Sequence, residues 1–164
     1  MHKIKIETYF ISILTISFVS IIVAYYIEYV LGYQPCNLCL IERIPYGLSV
    51  FLIFLNYLFK NNEKFIVLLL ILVFGFSLII SLYHFGIETG FLEESKVCGL
   101  KNNVNLLEKE EILKQLQEKT ISCKDVTFRI FGLSLTTINI LLSLVITIIL
   151  IRIFKYYEKI KYKS

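Results

Sequence analysis

Cys36 and Cys39, two residues apart and followed one helical turn later by Arg43, are the residues of this 164-residue chain best equipped for chemistry. Two thiols at this spacing can close a small disulfide ring, and the pair cycles between dithiol and disulfide when a nearby positive charge favours the thiolate. If the segment is helical, Cys39 and Arg43 form an i, i+4 pair on one face. A helix N-terminus there also favours a thiolate. Two more cysteines, Cys98 and Cys123, lie far apart in a long polar stretch. His84, the only histidine besides His2, ends an apolar run. An ionisable group at the rim of a membrane span is a functional candidate, and the alternative is an interfacial side chain bonded to a neighbour.

Three chemistries compete for these cysteines. A zinc site usually shows two Cys-x-x-Cys knuckles, or cysteine with histidine; the second pair is too widely spaced and His84 precedes it in a span, so no metal is expected. Static bridges are the second reading, and a bridge between Cys98 and Cys123 would stabilise an outer region by roughly 3 kcal/mol if loop entropy governs it. A bridge between Cys36 and Cys39 would hold little together, so beside Arg43 an exchangeable pair is the better reading. The pairing of the four cysteines is left open by the sequence. With no nucleotide fingerprint and no Cys-x-x-Cys-His haem attachment run, the electrons need another acceptor. A lipid quinone accepts two electrons and two protons, matching a dithiol, and a guanidinium near its oxygens would stabilise developing charge.

The elements that must position these groups are membrane spans. A hydrophobic content of 57% and a mean hydropathy of +0.73 exclude an ordinary soluble domain. Apolar runs of spanning length, which takes ~20 residues, fall at about 9–29, 38–59, 65–87 and 130–151. They form one membrane domain over 1–164, an all-α four-helix transmembrane bundle with outer loops 30–37 and 88–129. The second run reaches spanning length only if it starts near Leu38, which puts Glu42 and Arg43 in its first turns at the interface. Basic residues dominate before the first span (Lys3, Lys5), between the second and third (Lys60, Lys64) and after the fourth (Arg152, Lys155, Lys159, Lys161, Lys163). The positive-inside rule then sets both termini in the cytoplasm and all four cysteines on the outer, oxidising side.

Local signals refine this frame. The first run is too long for a secretory signal, and Ala24 has no small partner for cleavage, so the span is read as retained. Gly32 is a helix stop. Pro45 admits two geometries: a helix starting near Ile44 with proline in its first turn, or one starting near Cys36 in which Pro45 leaves the Ile41 carbonyl without its usual partner. Residues 105–119 mix leucine and isoleucine with Glu, Lys and Gln, as a short surface helix would. The Gly-x-Ser fragment at Gly132 lacks the second glycine and the preceding strand of a nucleophile elbow, which rejects a hydrolase. Asn139, inside the fourth run, is polar enough to need a partner.

The run Cys-x-Leu-Cys-x-x-Glu-Arg-x-Pro-Tyr from Cys36, His-x-Gly-x-Glu from His84, Cys98 and Cys123, and Phe-Gly-Leu-Ser-Leu-x-x-x-Asn from Phe131, in that order, resemble the bacterial disulfide bond formation protein B (DsbB) family. The resemblance covers essentially the whole chain. It implies a thiol:quinone oxidoreductase of the inner membrane that reoxidises a periplasmic thioredoxin-fold carrier (DsbA-like) and passes the electrons to ubiquinone or menaquinone. It also implies that Cys39 faces the quinone with Arg43 beside it, Cys36 is its exchange partner, Cys98 is attacked by the carrier and Cys123 passes the exchange to Cys36. His84, with Glu42, falls near the quinone. Many members have Gln where this chain has Glu42, and the chain has no Trp. The competing readings are a non-catalytic scaffold with structural bridges and an oxidase dedicated to one client. An outward thiol conduit would need cysteines within spans or on both faces. The vitamin K epoxide reductase type would place the Cys-x-x-Cys at the last span of the bundle.

Overall fold

The computed structural model describes residues 2–58, 63–94, 98, 122–124, 128–130 and 132–163, with side chains from 7 to 159 within these. The expected surface helix at 105–119 and the turn at 60–62 lie outside the described residues. Helix α1 (His2–Tyr29) is followed by a short α2 (Asn37–Ile41), then α3 (Ile44–Leu58), α4 (Glu63–Glu88) and α5 (Leu135–Lys163). A two-stranded hairpin, β1 (Arg129–Ile130) and β2 (Leu133–Ser134), leads into α5 with Arg129 opposite Ser134. Among the described residues, four segments are long and apolar enough to cross a membrane: Glu7–Tyr29, Asn37–Leu58, Glu63–Glu88 and Leu135–Lys159. The chain is thus the all-α, four-span bundle that its composition predicts.

The outside of the bundle is as apolar as its inside. Phe18, Phe51, Phe76 and Ile79 are exposed while Phe74, Ile53, Leu70 and Leu150 are buried, an arrangement that suits lipid and not water. Apolar surface therefore does little to draw the helices together, and close packing with interhelical hydrogen bonds takes that role. The most extensive interface joins α4 to α5; α3 packs against both α1 and α4. Fully buried serines lie on these seams: Ser17 meets Ser49 at 2.9 Å and Ser77 meets Ser143 at 3.0 Å. At the far end of the α4/α5 seam, the Tyr157 hydroxyl donates to Glu63 at 2.6 Å.

Both geometries considered for Pro45 contribute to the result. The path from Asn37 to Leu58 is helical at both ends but turns at Glu42 and Arg43, and α3 restarts at Ile44 with Pro45 in its first turn. Proline is tolerated there because first-turn amides have no intrahelical acceptor. At the other connection, Gly132 adopts φ +83, which closes the hairpin. Ser134 then caps α5 by accepting the Thr137 amide at 3.2 Å. The Gly-x-Ser fragment is therefore a turn and a helix cap.

Candidate functional site

The site forms where α2, the start of α3, the end of α4 and the start of α5 meet. Cys36 is the N-cap of α2, its sulfur accepting the Cys39 amide at 3.2 Å. This fold of the turn sets the two cysteines on one short loop-and-helix unit, both as free thiols. Cys36 is buried, and its Sγ lies 3.5 Å from His84 Nε2 at the end of α4. The hydrogen bond from the Cys39 side chain, then the His84 ring, hold the Cys36 thiol below the usual thiol range against the opposing effect of burial.

His84 is held from its other nitrogen. Nδ1 lies 2.9 Å from Glu42 Oε1 and 3.2 Å from Thr136 Oγ1. The second oxygen of Glu42 accepts from Asn139 Nδ2 at 3.0 Å, and the same amide nitrogen donates to Ser81 at 2.7 Å. Tyr46 donates its hydroxyl to Asn139 Oδ1. Every member of this chain of groups is buried, and a polar network so far from water persists only when its atoms satisfy one another. Arg43, next to Glu42, points the opposite way. It is ion-paired with Glu28 of α1 and stacks over Tyr25, 5.3 Å from the ring centroid.

Between α1 and the α2–α3 and α5 segments lies a cavity of about 310 Å3, within the size range of small-molecule sites. Its wall is mostly apolar, from Val19, Val23, Ile27, Phe128, Ile138 and Leu142, with Cys39, Glu42, Arg43, Tyr46 and Asn139 as its convergent polar groups. Val19 and Val23 are themselves exposed on the outside of α1, so the cavity meets the apolar exterior. Cys36 and His84 do not line it. They sit behind Cys39 and Glu42.

The second cysteine pair is joined: Cys98 and Cys123, 25 positions apart in the chain, form a disulfide. Both are buried in one apolar cluster with Cys36, Leu38 and Ile87, against which Cys39 and Ile41 pack. Glu94 fixes the turn that carries Cys123 by accepting the Ser122 hydroxyl and the Lys124 amide. All four cysteines, His84, Glu42 and Arg43 thus converge on one end of the bundle. Tyr46, Ser81 and Thr136 join the site without a local signal in the sequence, and Asn139 signals only that a polar group inside a span needs a partner.

Four membrane-length helices with a free Cys-x-x-Cys pair beside a bonded pair, all at one end, define a multi-pass membrane protein of the dithiol–disulfide type. Residues 7–153 match the family described as disulfide bond formation protein DsbB, and the chain belongs to that family. It is 29% identical over 140 residues to the uncharacterized protein RP370 of Rickettsia prowazekii, covering 84% of this chain and 81% of that one. It is also 29% identical over 118 residues to a disulfide bond formation protein B of Marinobacter nauticus, covering 69% of this chain and 70% of the relative. No solved structure matches it.

Proposed function

We propose that this protein is a thiol:quinone oxidoreductase of the bacterial inner membrane, taking electrons from a periplasmic thioredoxin-fold carrier of the DsbA type and passing them to membrane quinone. The observation that carries the reading is the placement of Cys39 on the wall of the 310 Å3 apolar cavity while Cys36, its pair, packs with the Cys98–Cys123 disulfide. Cys39 alone of the pair reaches the cavity, while both thiols lie against the cluster that holds the Cys98–Cys123 disulfide.

The cavity fits a quinone ring by its chemistry. It has apolar walls for a ring and tail, contact with the lipid-facing surface, and Arg43 as a permanently charged donor. A quinone bound there would supply the two-electron, two-proton acceptor that dithiol oxidation needs. Cys39 presents its sulfur to that acceptor, and Arg43 stabilises negative charge arising beside it. Tyr46, Asn139 and Glu42 fix the polar wall. Once oxidised, Cys36 and Cys39 would form a disulfide whose Cys36 sulfur, held beside His84, is the one attacked in thiol–disulfide exchange, so that two electrons pass from the wide pair to the narrow one and Cys39 leaves as the thiolate. Cys98 is the sulfur attacked by the carrier and Cys123 the one that hands the exchange to Cys36. Because Cys98 and Cys123 are each only 3% exposed, the carrier must uncover the bridge as it docks. The basic segments support an orientation with both termini in the cytoplasm and the cysteine-bearing end at the periplasm, by the positive-inside rule.

The test is to supply detergent-purified protein with reduced carrier and a water-soluble quinone and follow quinone absorbance. Thiol-dependent quinone loss that disappears in Cys36→Ser, Cys39→Ser and Cys98→Ser supports the assignment. Quinone loss indifferent to Cys39→Ser defeats it.

A further inference from the structure

Sequence spacing argues against zinc bound by the two cysteine pairs, but the fold assembles a different donor set. The ligand atoms of Cys36, Cys39 and His84 lie within 4.8 Å of one another, although His84 is far from both cysteines in the chain. We propose that in the reduced protein these three side chains capture one thiophilic divalent cation of the zinc and cadmium class, and that the bound ion locks the dithiol against oxidation.

Three features carry the inference. The first is distance. With Zn–S about 2.3 Å and Zn–N about 2.0 Å, a tetrahedral site separates sulfur from nitrogen by about 3.5 Å and sulfur from sulfur by about 3.8 Å. Cys36 Sγ and His84 Nε2 already stand 3.5 Å apart, and the Cys39 sulfur lies within 4.8 Å of both. The second is orientation. Histidines that bind metal characteristically give their other ring nitrogen to a carboxylate, and His84 Nδ1 faces Glu42 Oε1 at 2.9 Å. That contact aims Nε2 at the sulfur of Cys36, and Asn139 in turn fixes Glu42 from its second oxygen at 3.0 Å. The third is charge in a buried place. Cys36 and His84 are buried, and a dication cancels the charge of the two thiolates that hold it. Thiolate and imidazole donors select soft d10 ions over magnesium or calcium.

Binding forms two metal–sulfur bonds and one metal–nitrogen bond and releases the two thiol protons; no electrons move. The fourth position is left to water. The Cys36–Cys39 disulfide uses the same two sulfurs, so the bound ion and the disulfide exclude one another. Capture itself does not depend on the quinone reading, whereas the consequence for turnover rests on it.

The experiment uses the full chain with Cys98→Ser and Cys123→Ser, which leaves only the narrow pair. The reduced protein is titrated with Cd2+ while thiolate-to-cadmium absorption is followed. One ion per chain is expected, and none after oxidation of Cys36 and Cys39. His84→Ala in this background should weaken binding at least tenfold, and Glu42→Gln about tenfold by disturbing the contact behind the ring. Absorption that persists in the oxidised protein, or affinity unmoved by His84→Ala, overturns the proposal. A second measurement needs no variant: Zn2+ should shield Cys36 and Cys39 of the wild-type protein from alkylation while the Cys98–Cys123 bridge stays closed, and unshielded thiols overturn it. In the turnover assay Zn2+ should stop thiol-dependent quinone loss and a chelator restore it. If the protein reduces no quinone at all, the titration and the alkylation still decide the metal site.

Discussion

Replacing Asn139 by leucine should destabilise the bundle far more than the same change at Asn56. Both side chains belong to spans and both are 8% exposed, so the comparison holds burial constant and varies only the partners. Asn139 donates to Glu42 at 3.0 Å and to Ser81 at 2.7 Å, and accepts from Tyr46. Asn56 Oδ1 has no partner among the described residues. Interhelical hydrogen bonds inside membranes average about 0.6 kcal/mol each and reach about 1.7, while a bond to a charged group in a protein is worth about 1.5–3. Losing two ordinary bonds and one to a carboxylate should therefore cost about 3–4 kcal/mol. Asn56→Leu should stay within about 1 kcal/mol of wild type or gain stability, because it removes an unsatisfied buried acceptor. Equilibrium unfolding of both variants in mixed micelles, titrated with a denaturing detergent, reads the difference. Equal penalties at the two positions would refute the reasoning that the Glu42–Asn139–Tyr46 network, and not burial of a polar span residue in general, holds this end of the bundle.

Two further outcomes follow from the site. Arg43→Ala should raise the apparent quinone Km by about tenfold or more, the equivalent of one lost charge-assisted contact; Glu28→Gln, which disturbs the ion pair but keeps the guanidinium at the wall, should change it much less. Cys123→Ser should keep quinone reduction driven by a small dithiol that reaches Cys36 directly and lose the reduction driven by a thioredoxin-fold carrier. Equal retention with both donors would make the Cys98–Cys123 bridge a structural clasp.

The parts legible in the sequence are those written in residue type and short spacing. Four apolar runs announce four spans because a hydrocarbon layer imposes length and polarity on any helix that crosses it. Cys36, Cys39 and Arg43 announce a two-cysteine turn with a cation beside it because their spacing is local. The rest depends on contacts between residues far apart in the chain: Glu42 with His84, Glu42 with Asn139 and Cys36 with His84 each bridge separate helices. The one available signal was chemical. Glu42, His84 and Asn139 are polar groups in or beside apolar runs, and such groups require partners, yet the sequence does not say which partner each one takes. For the same reason the sequence does not show that His84 lies behind Glu42 and against Cys36, off the cavity wall. The start of α5 is hidden too, since Ile130, Leu133 and Leu135 read as continuous apolar helix, and only the positive φ of Gly132 and the cap at Ser134 turn the first two of them into a hairpin.

The central claim is that the acceptor of the electrons sits in the cavity beside Cys39. Ala24 lines that cavity from α1, so Ala24→Phe would place a ring in the space without touching a cysteine. Quinone reduction should then fall sharply with a raised quinone Km, while quinone-free disulfide exchange between the protein and its reduced carrier proceeds at the wild-type rate. Quinone reduction at wild-type Km and rate in folded Ala24→Phe would contradict the account.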